Sequence, residues 1–311
     1  MSKGIGLSVA AGIASGVVYL SVLAGGTLGI LLTYFTPLPL VMVGLAFGLR
    51  RLLLASIIAS AVVAVAGPQA IMMYAVVGPL PMLILVRLAL RWRQTTDGTG
   101  EWYPTGALLA WLSVVAVGLM LLGSAVLPSG DGGVQGMVHR QVAAFLDEAA
   151  PMVSAEVKDS ATALWSAMFP AMVGGAWLVM AVLNGVVGQW TVARAGFALR
   201  PTPVYTRLEL PLWLLPVLAA AVAVGLTAGG DVGYLGRNAA AVLLWPYVFG
   251  GLAVVHRAIR GRPNAGMLLA LFYVAFFAMF GWALIAVAGL GLVRHWTRLR
   301  RHDAGGGQEE K

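Results

Sequence analysis

Residues 27–49 read TLGILLTYFTPLPLVMVGLAFGL, twenty-three positions without one charged side chain. As a helix rising 1.5 Å per residue, such a run covers about 34 Å, enough to cross the ~30 Å hydrocarbon core of a bilayer. The same stretch carries its own interruption. Pro37 and Pro39 lack the N–H groups that would pair with the carbonyls of Thr33 and Phe35, so a break is expected in mid-span. The break is open to two readings: a kink absorbed by neighbouring helices, or a discontinuous helix of the kind that builds transport sites.

Working outward, the same ruler places further spans near residues 5–24, 51–66, 69–90, 104–127, 168–193, 209–228 and 239–256. The first could pass for a signal peptide, but its length and the immediate onset of the next apolar run predict a retained helix. Gly67-Pro68 closes the short third span with a turn, and Gly78-Pro79-Leu80-Pro81 interrupts the fourth as Thr36-Pro37-Leu38-Pro39 interrupts the second. The last apolar run, Ala265 to Val293, is predicted to be two short helices turning near Ala278 to Gly281, either as a hairpin of spans or as a re-entrant pair. The expected fold is therefore all-α, a polytopic transmembrane bundle of about 8–10 helices.

Composition agrees. Of 311 residues 60% are hydrophobic and 10% charged, against roughly 25% charged in a soluble domain. The net charge of +8 does not point to nucleic acid, because the basic residues sit in short clusters between apolar runs. With a cytoplasmic amino terminus, only Arg140, Lys158 and Arg237 fall outside, which leaves 17 of the 20 Lys and Arg inside (20 − 3). The positive-inside rule thus predicts a protein of an inner (cytoplasmic) membrane with both termini cytoplasmic.

One long outside segment, residues 128–166, is amphipathic. Val138, Val142, Phe145 and Leu146, then Val157, Ala161, Leu164 and Trp165, recur at helical spacing with acids between them, and Pro151 is read as opening the second half. It suits a helix on the outer leaflet or capping the bundle, or a lid. The tail 303–311, with its glycine run, is expected to be disordered.

Residues that carry chemistry are sparse. No cysteine is present, the four histidines show no metal-ligand spacing, and no catalytic motif or P-loop occurs; no metal, cofactor or catalytic residue is expected. His139 and His256 have no acid or nucleophile at catalytic spacing. None of the acids lies deep in a span, which argues against proton pumping through buried carboxylates. The candidate ligand-binding residues are the uncharged polar groups and prolines within the spans: Thr33, Thr36, Pro37, Pro39, Gln69, Tyr74 and Asn184. For Asn184 an interhelical hydrogen bond and a ligand contact both remain open. Gln189, beside Trp190, is read as solvated at the inner interface. Glu209 is read as an interfacial acid. The first helix sets small residues four apart, Ala10 with Ala14, Ala11 with Ser15 and Gly12 with Gly16, which suits close packing within the chain or docking onto a partner.

A small-residue first helix, the Pro-Leu-Pro-Leu break followed by Gly44 and Gly48-Leu49-Arg50-Arg51, Gly78-Pro79 in the fourth helix, Phe169-Pro170, Asn184 and the closing Gly289-Leu290-Gly291-Leu292 together resemble the YybS-like family of bacterial membrane proteins of unknown function. His295 and Trp296 depart from the acidic ending of that pattern. The amino-terminal part of the family is similar to the S components of energy-coupling-factor transporters. The resemblance implies an S-component-like core of four helices in residues 1–95, the remaining helices in 96–302, and docking of Ala10 and Ala14 onto a transmembrane coupling subunit. It implies that the membrane is bacterial, and a non-enzymatic protein that binds a small molecule and borrows ATP hydrolysis from other chains. The rival class is an envelope scaffold similar to MreD, whose partners would be envelope proteins as well as the lipid bilayer.

Overall fold

A computed structural model describes residues 2–94, 98–126, 130 and 132–306. The protein is all-α and polytopic. Among the described residues, seven helical stretches are long and apolar enough to cross a membrane, at Gly4–Leu23, Gly26–Phe47, Leu49–Ala66, Pro68–Ala89, Thr105–Val126, Ala155–Arg194 and Gly230–Ile259. Leu214–Thr227 and Ala265–Ala278 are apolar but shorter. The chain divides into two compact units, Met1–Leu112 with Trp177–Val204, and Ser113–Ala176 with Tyr205–Lys311.

The first unit contains α1 (Ser2–Leu20), α2 (Gly26–Thr33), α3 (Pro37–Phe47), α4 (Leu49–Val63), α5 (Pro68–Val77) and α6 (Pro79–Ala89). Both proline breaks expected in the second and fourth spans are present, between α2 and α3 and at Gly78 between α5 and α6. The α1 face bearing Gly12 and Gly16 packs on α4; a Cβ on Gly16 would lie 2.7 Å from the Val62 Cβ, so only glycine lets the backbones come this close. Ala10 and Ala14 lie on the exposed side of α1. Leu40, Val43, Leu52, Ala55 and Val86 form the core between α3, α4 and α6. A short antiparallel pair, β1 (Trp92–Gln94) and β2 (Gly100–Trp102), follows α6, with Arg93 bridging Glu101 at 2.7 Å across the register.

Gln189 departs from its sequence reading. It is 3% exposed, and its Nε2 donates to the Arg200 carbonyl at 3.1 Å instead of facing water. The chain after α9 (Ala155–Arg194) folds back over the amide, and Arg200, itself buried, donates to the Ala89 carbonyl at 2.9 Å. Interface position along a helix says nothing about such a return.

The second unit contains α8 (Gly133–Ala149), the first part of α9, α10 (Leu214–Thr227), α11 (Gly230–Leu243), α12 (Trp245–Ile259), α13 (Ala265–Ala278) and α14 (Phe280–Gly306). Helix α7 (Thr105–Val126) and α9 each contribute residues to both units. The expected turn in 265–293 falls at Met279, and α13 and α14 both pack on α12 around Val248, Phe276, Val287 and Ala288. Gly251 and Gly291 let α12 and α14 touch backbone to backbone, since a Cβ on either would meet the other helix's carbonyls. Helix α14 continues to Gly306; residues 307–311 of the tail lie outside the described residues, as do 127–129 and 131 at the start of the amphipathic segment.

Within that segment α8 buries Val138 and Val142, as its periodicity predicts, together with Val134 against Tyr234, whereas Phe145 of the same expected face is exposed. Its first turn is capped from a distance: both Asp231 carboxylate oxygens accept backbone N–H groups, of Val134 at 2.8 Å and Gln135 at 3.1 Å. The second half corrects the reading of Pro151. Residues 151–153 form a turn, and the helix begins at Ala155 and runs unbroken into the next span. Pro170, at the boundary between the amphipathic residues and the apolar ones, does not end the helix, so one helix of 40 residues, about 60 Å, replaces a surface helix and a separate span.

That helix holds Pro170 in its interior. Proline removes the N–H due to the Ser166 carbonyl and pushes the helix open there. Tyr234 on α11 fills the gap, its hydroxyl donating to the Ser166 carbonyl at 2.6 Å. One rung further on, the Asn238 amide accepts from the Ala171 N–H at 2.9 Å and donates to the Ala167 carbonyl at 3.1 Å, replacing the bond those two groups would have made.

Candidate functional site

The first unit accounts for its freed backbone groups in a similar way, but not completely. The Thr33 and Phe35 carbonyls, expected to be orphaned by Pro37 and Pro39, are taken up locally by the N–H groups of Thr36 and Leu38 at 3.1 and 3.0 Å. That tightening displaces the deficit to Tyr34, whose carbonyl receives the Asn184 Nδ2 at 2.7 Å. The Thr36 carbonyl receives the Ser15 hydroxyl at 2.7 Å, and Ser15 in turn shares a 2.7 Å hydrogen bond with the Tyr74 hydroxyl. At the other break, Pro81 leaves the Val77 carbonyl free, and the Trp177 indole N–H donates to it at 2.9 Å.

These patches surround a cavity of about 190 Å³. Four aromatic side chains, Tyr19, Tyr34, Tyr74 and Trp177, contribute to its wall together with Thr36 and Pro37. Tyr19 and Tyr74 meet edge to face with centroids 5.0 Å apart, fixing the tilt of both rings. Thr33 also lines the space, its hydroxyl turned back onto its own helix, to the Ile30 carbonyl at 2.6 Å. The two breaks are thus brought together at one place by the packing of α1 through α6 with the Trp177–Arg194 part of α9.

Two polar atoms remain unused. Thr36 is 5% exposed and Asn184 3% exposed, yet the Thr36 Oγ1 and the Asn184 Oδ1 have no hydrogen-bond partner among the described residues. Asn184 spends its amide N–H groups on the Tyr34 and Met180 carbonyls, so its oxygen is left over. Thr36 sits in the cavity wall with its backbone carbonyl satisfied and its hydroxyl idle. A buried hydroxyl without a partner is costly in apolar surroundings and is one mark of a place where something else binds.

Of the residues singled out by sequence, Thr33, Thr36, Pro37 and Tyr74 line this cavity and Asn184 stands against it through Tyr34. Pro39 and Gln69 are not brought to it: Pro39 lies beyond the break in α3, and Gln69 is exposed in the first turn of α5. Tyr19, Trp177 and Met180 were not legible as site residues. Trp177 did carry a signal. A tryptophan in mid-span, far from the interfacial belt that tryptophan favours, has an indole N–H that must find an acceptor inside the protein.

Elsewhere, His256 bonds the Leu252 carbonyl at 2.9 Å and faces the Tyr273 hydroxyl at 3.4 Å, and His139 is exposed on α8. Glu209 pairs with Arg298 at 3.3 Å with both side chains about half exposed.

The model of one protein family, described as "Predicted membrane protein (DUF2232)", matches residues 13–293 of this chain, and the chain belongs to that family. No curated protein and no solved structure matches it.

Proposed function

We propose that this member of a membrane-protein family binds a small, uncharged, largely apolar molecule in the cavity between its two proline breaks, as a non-enzymatic binding component of a transport system. The observation that carries the reading is the cavity where the two proline breaks meet, lined by Tyr19, Tyr34, Tyr74 and Trp177, with the Thr36 hydroxyl unpartnered in its wall. At about 190 Å³ the space is smaller than the roughly 300–1,000 Å³ of drug-sized pockets, so the ligand is small. The rings select for a flat or apolar body, and Thr36 supplies one polar contact that fixes its orientation.

The wider reading supports the same role. The family resemblance to YybS-like proteins and S components suggests a coupling subunit docked on α1, and Ala10 and Ala14 are exposed and available for it. Arginine placement favours a cytoplasmic membrane with both termini inside. Native mass spectrometry of the full chain, released from detergent, tests the proposal directly. A small molecule retained by the wild type and lost from Thr36→Val is the expected result. Wild type that carries no ligand and co-purifies only with envelope proteins would overturn it in favour of a scaffold.

A further inference from the structure

Away from the cavity, in the second unit, the last turn of α12 carries Arg257 and the middle of α14 carries Arg294 and Arg298, the last of them paired with Glu209. Arg257 in the last turn of α12 donates through Nε and Nη2 to the Thr206 carbonyl, at 3.2 and 2.6 Å. Arg298 on α14 donates to the Leu210 carbonyl at 3.2 Å and meets Glu209 at 3.3 Å. Carbonyls satisfy donors without cancelling charge, so these bonds hold the side chains in place and leave the field of the cluster positive. Arg294 lies within electrostatic reach of all three groups, repelled by Arg257 and Arg298 and attracted by Glu209. Among the described residues, three positive charges against one negative leave a local surplus of two.

The hydrogen-bond account does not close here either. The Arg294 Nη1 is shut off from solvent with no acceptor among the described residues, and beside it His295, 4% exposed, has its Nε2 likewise unpartnered and its ring edge-on to Tyr247 at 5.6 Å. A guanidinium nitrogen buried without an acceptor, inside a positively charged cluster, fits an anion better than it fits the free protein. Arg294 follows directly on the apolar run that ends at Val293, as a basic residue at the edge of a hydrocarbon-spanning segment would, and anionic headgroups attract basic residues at that edge. Arginine's planar fork matches phosphate oxygens two at a time, where lysine would offer one point charge.

We propose that Arg257, Arg294 and Arg298 form a binding site for a phosphate anion, supplied by the headgroup of an anionic phospholipid. The Arg294 guanidinium, half-buried in the free protein and short of an acceptor, turns onto the phosphate, and the two tethered arginines frame it. The site is independent of the aromatic cavity and stands or falls separately.

Native mass spectrometry of the full chain after exchange into detergent containing equal phosphatidylglycerol and phosphatidylcholine tests it. Wild type should retain phosphatidylglycerol in preference, and Arg294→Gln should lower that retention about fivefold or more, on the scale of one basic contact to an anionic lipid. Arg257→Lys, which keeps charge and removes the fork, should give a smaller loss, and Arg93→Gln in the exposed strand pair should give none. Millimolar inorganic phosphate distinguishes the sources of the anion: displacement of the lipid by it assigns the site to phosphate chemistry in general, and resistance assigns it to the whole headgroup. Equal retention of the two lipids by the wild type, or Arg294→Gln and Arg257→Lys that both retain phosphatidylglycerol as wild type does, would overturn the assignment.

Discussion

In the second unit, Pro170 opens two backbone rungs of α9, and Tyr234 and Asn238 close both of them with nothing left over at the break. In the first unit, the breaks at Pro37 and Pro81 are also patched, by Asn184, Ser15 and Trp177, but the patching leaves a cavity and two idle polar atoms. The physical situation is the same in each case, since proline frees a carbonyl that lipid cannot satisfy. The difference lies in the balance of donors and acceptors. A proline break whose polar groups are fully paired is a hinge in the architecture; one that keeps a surplus hydroxyl beside empty space is a candidate for binding. Proline in a span therefore does not announce a site until its neighbours have been counted.

That contrast can be broken first at Asn238. Asn238→Leu leaves the Ala167 carbonyl and the Ala171 N–H unpaired, and should cost about 2–3 kcal/mol in thermal unfolding followed by circular dichroism in detergent. If the amide serves only to repair the proline break, Pro170→Ala should absorb most of this penalty, leaving Asn238→Leu less than about 1 kcal/mol in that background. An undiminished penalty would mean that Asn238 does something other than mend the helix.

Trp177→Phe should cost about 1–2 kcal/mol, by removing the donor to the Val77 carbonyl and enlarging the cavity, and should also lower ligand retention. Ser15→Ala, which strips a donor from the Thr36 carbonyl and a partner from Tyr74, should cost about 1 kcal/mol. Thr36→Val should have the smallest effect on stability, within about 0.5 kcal/mol of wild type, because the hydroxyl it removes has no partner to lose. Its effect should appear in ligand retention alone. A loss of stability comparable to that of Ser15→Ala would show the hydroxyl to be structural and would erase the difference between the two kinds of break.

Much of the frame was legible beforehand. Thr36-Pro37-Leu38-Pro39 and Gly78-Pro79-Leu80-Pro81 break their helices as written, and the run 265–293 divides at Met279, because proline chemistry and bilayer thickness act locally. The carbonyls left wanting were displaced, from Thr33 and Phe35 to Tyr34 and Thr36, since short-range turns claimed the first pair. Pro151 misled because a proline that can start a helix need not do so, and Gln189 because its cover comes from a segment eleven residues further on.

By itself the sequence determined that the chain lives in lipid, how it divides into helices and where proline interrupts them. Those outcomes depend on hydrophobic length and on backbone groups within a few residues of each other. Only the tertiary structure decided that the two breaks meet at one aromatic cavity, that Tyr234 and Asn238 serve a proline some seventy residues away, and which polar atoms remain idle. Pairing across that distance is chosen by packing, and a hydrogen bond carries no mark in the sequence of the partner it will find.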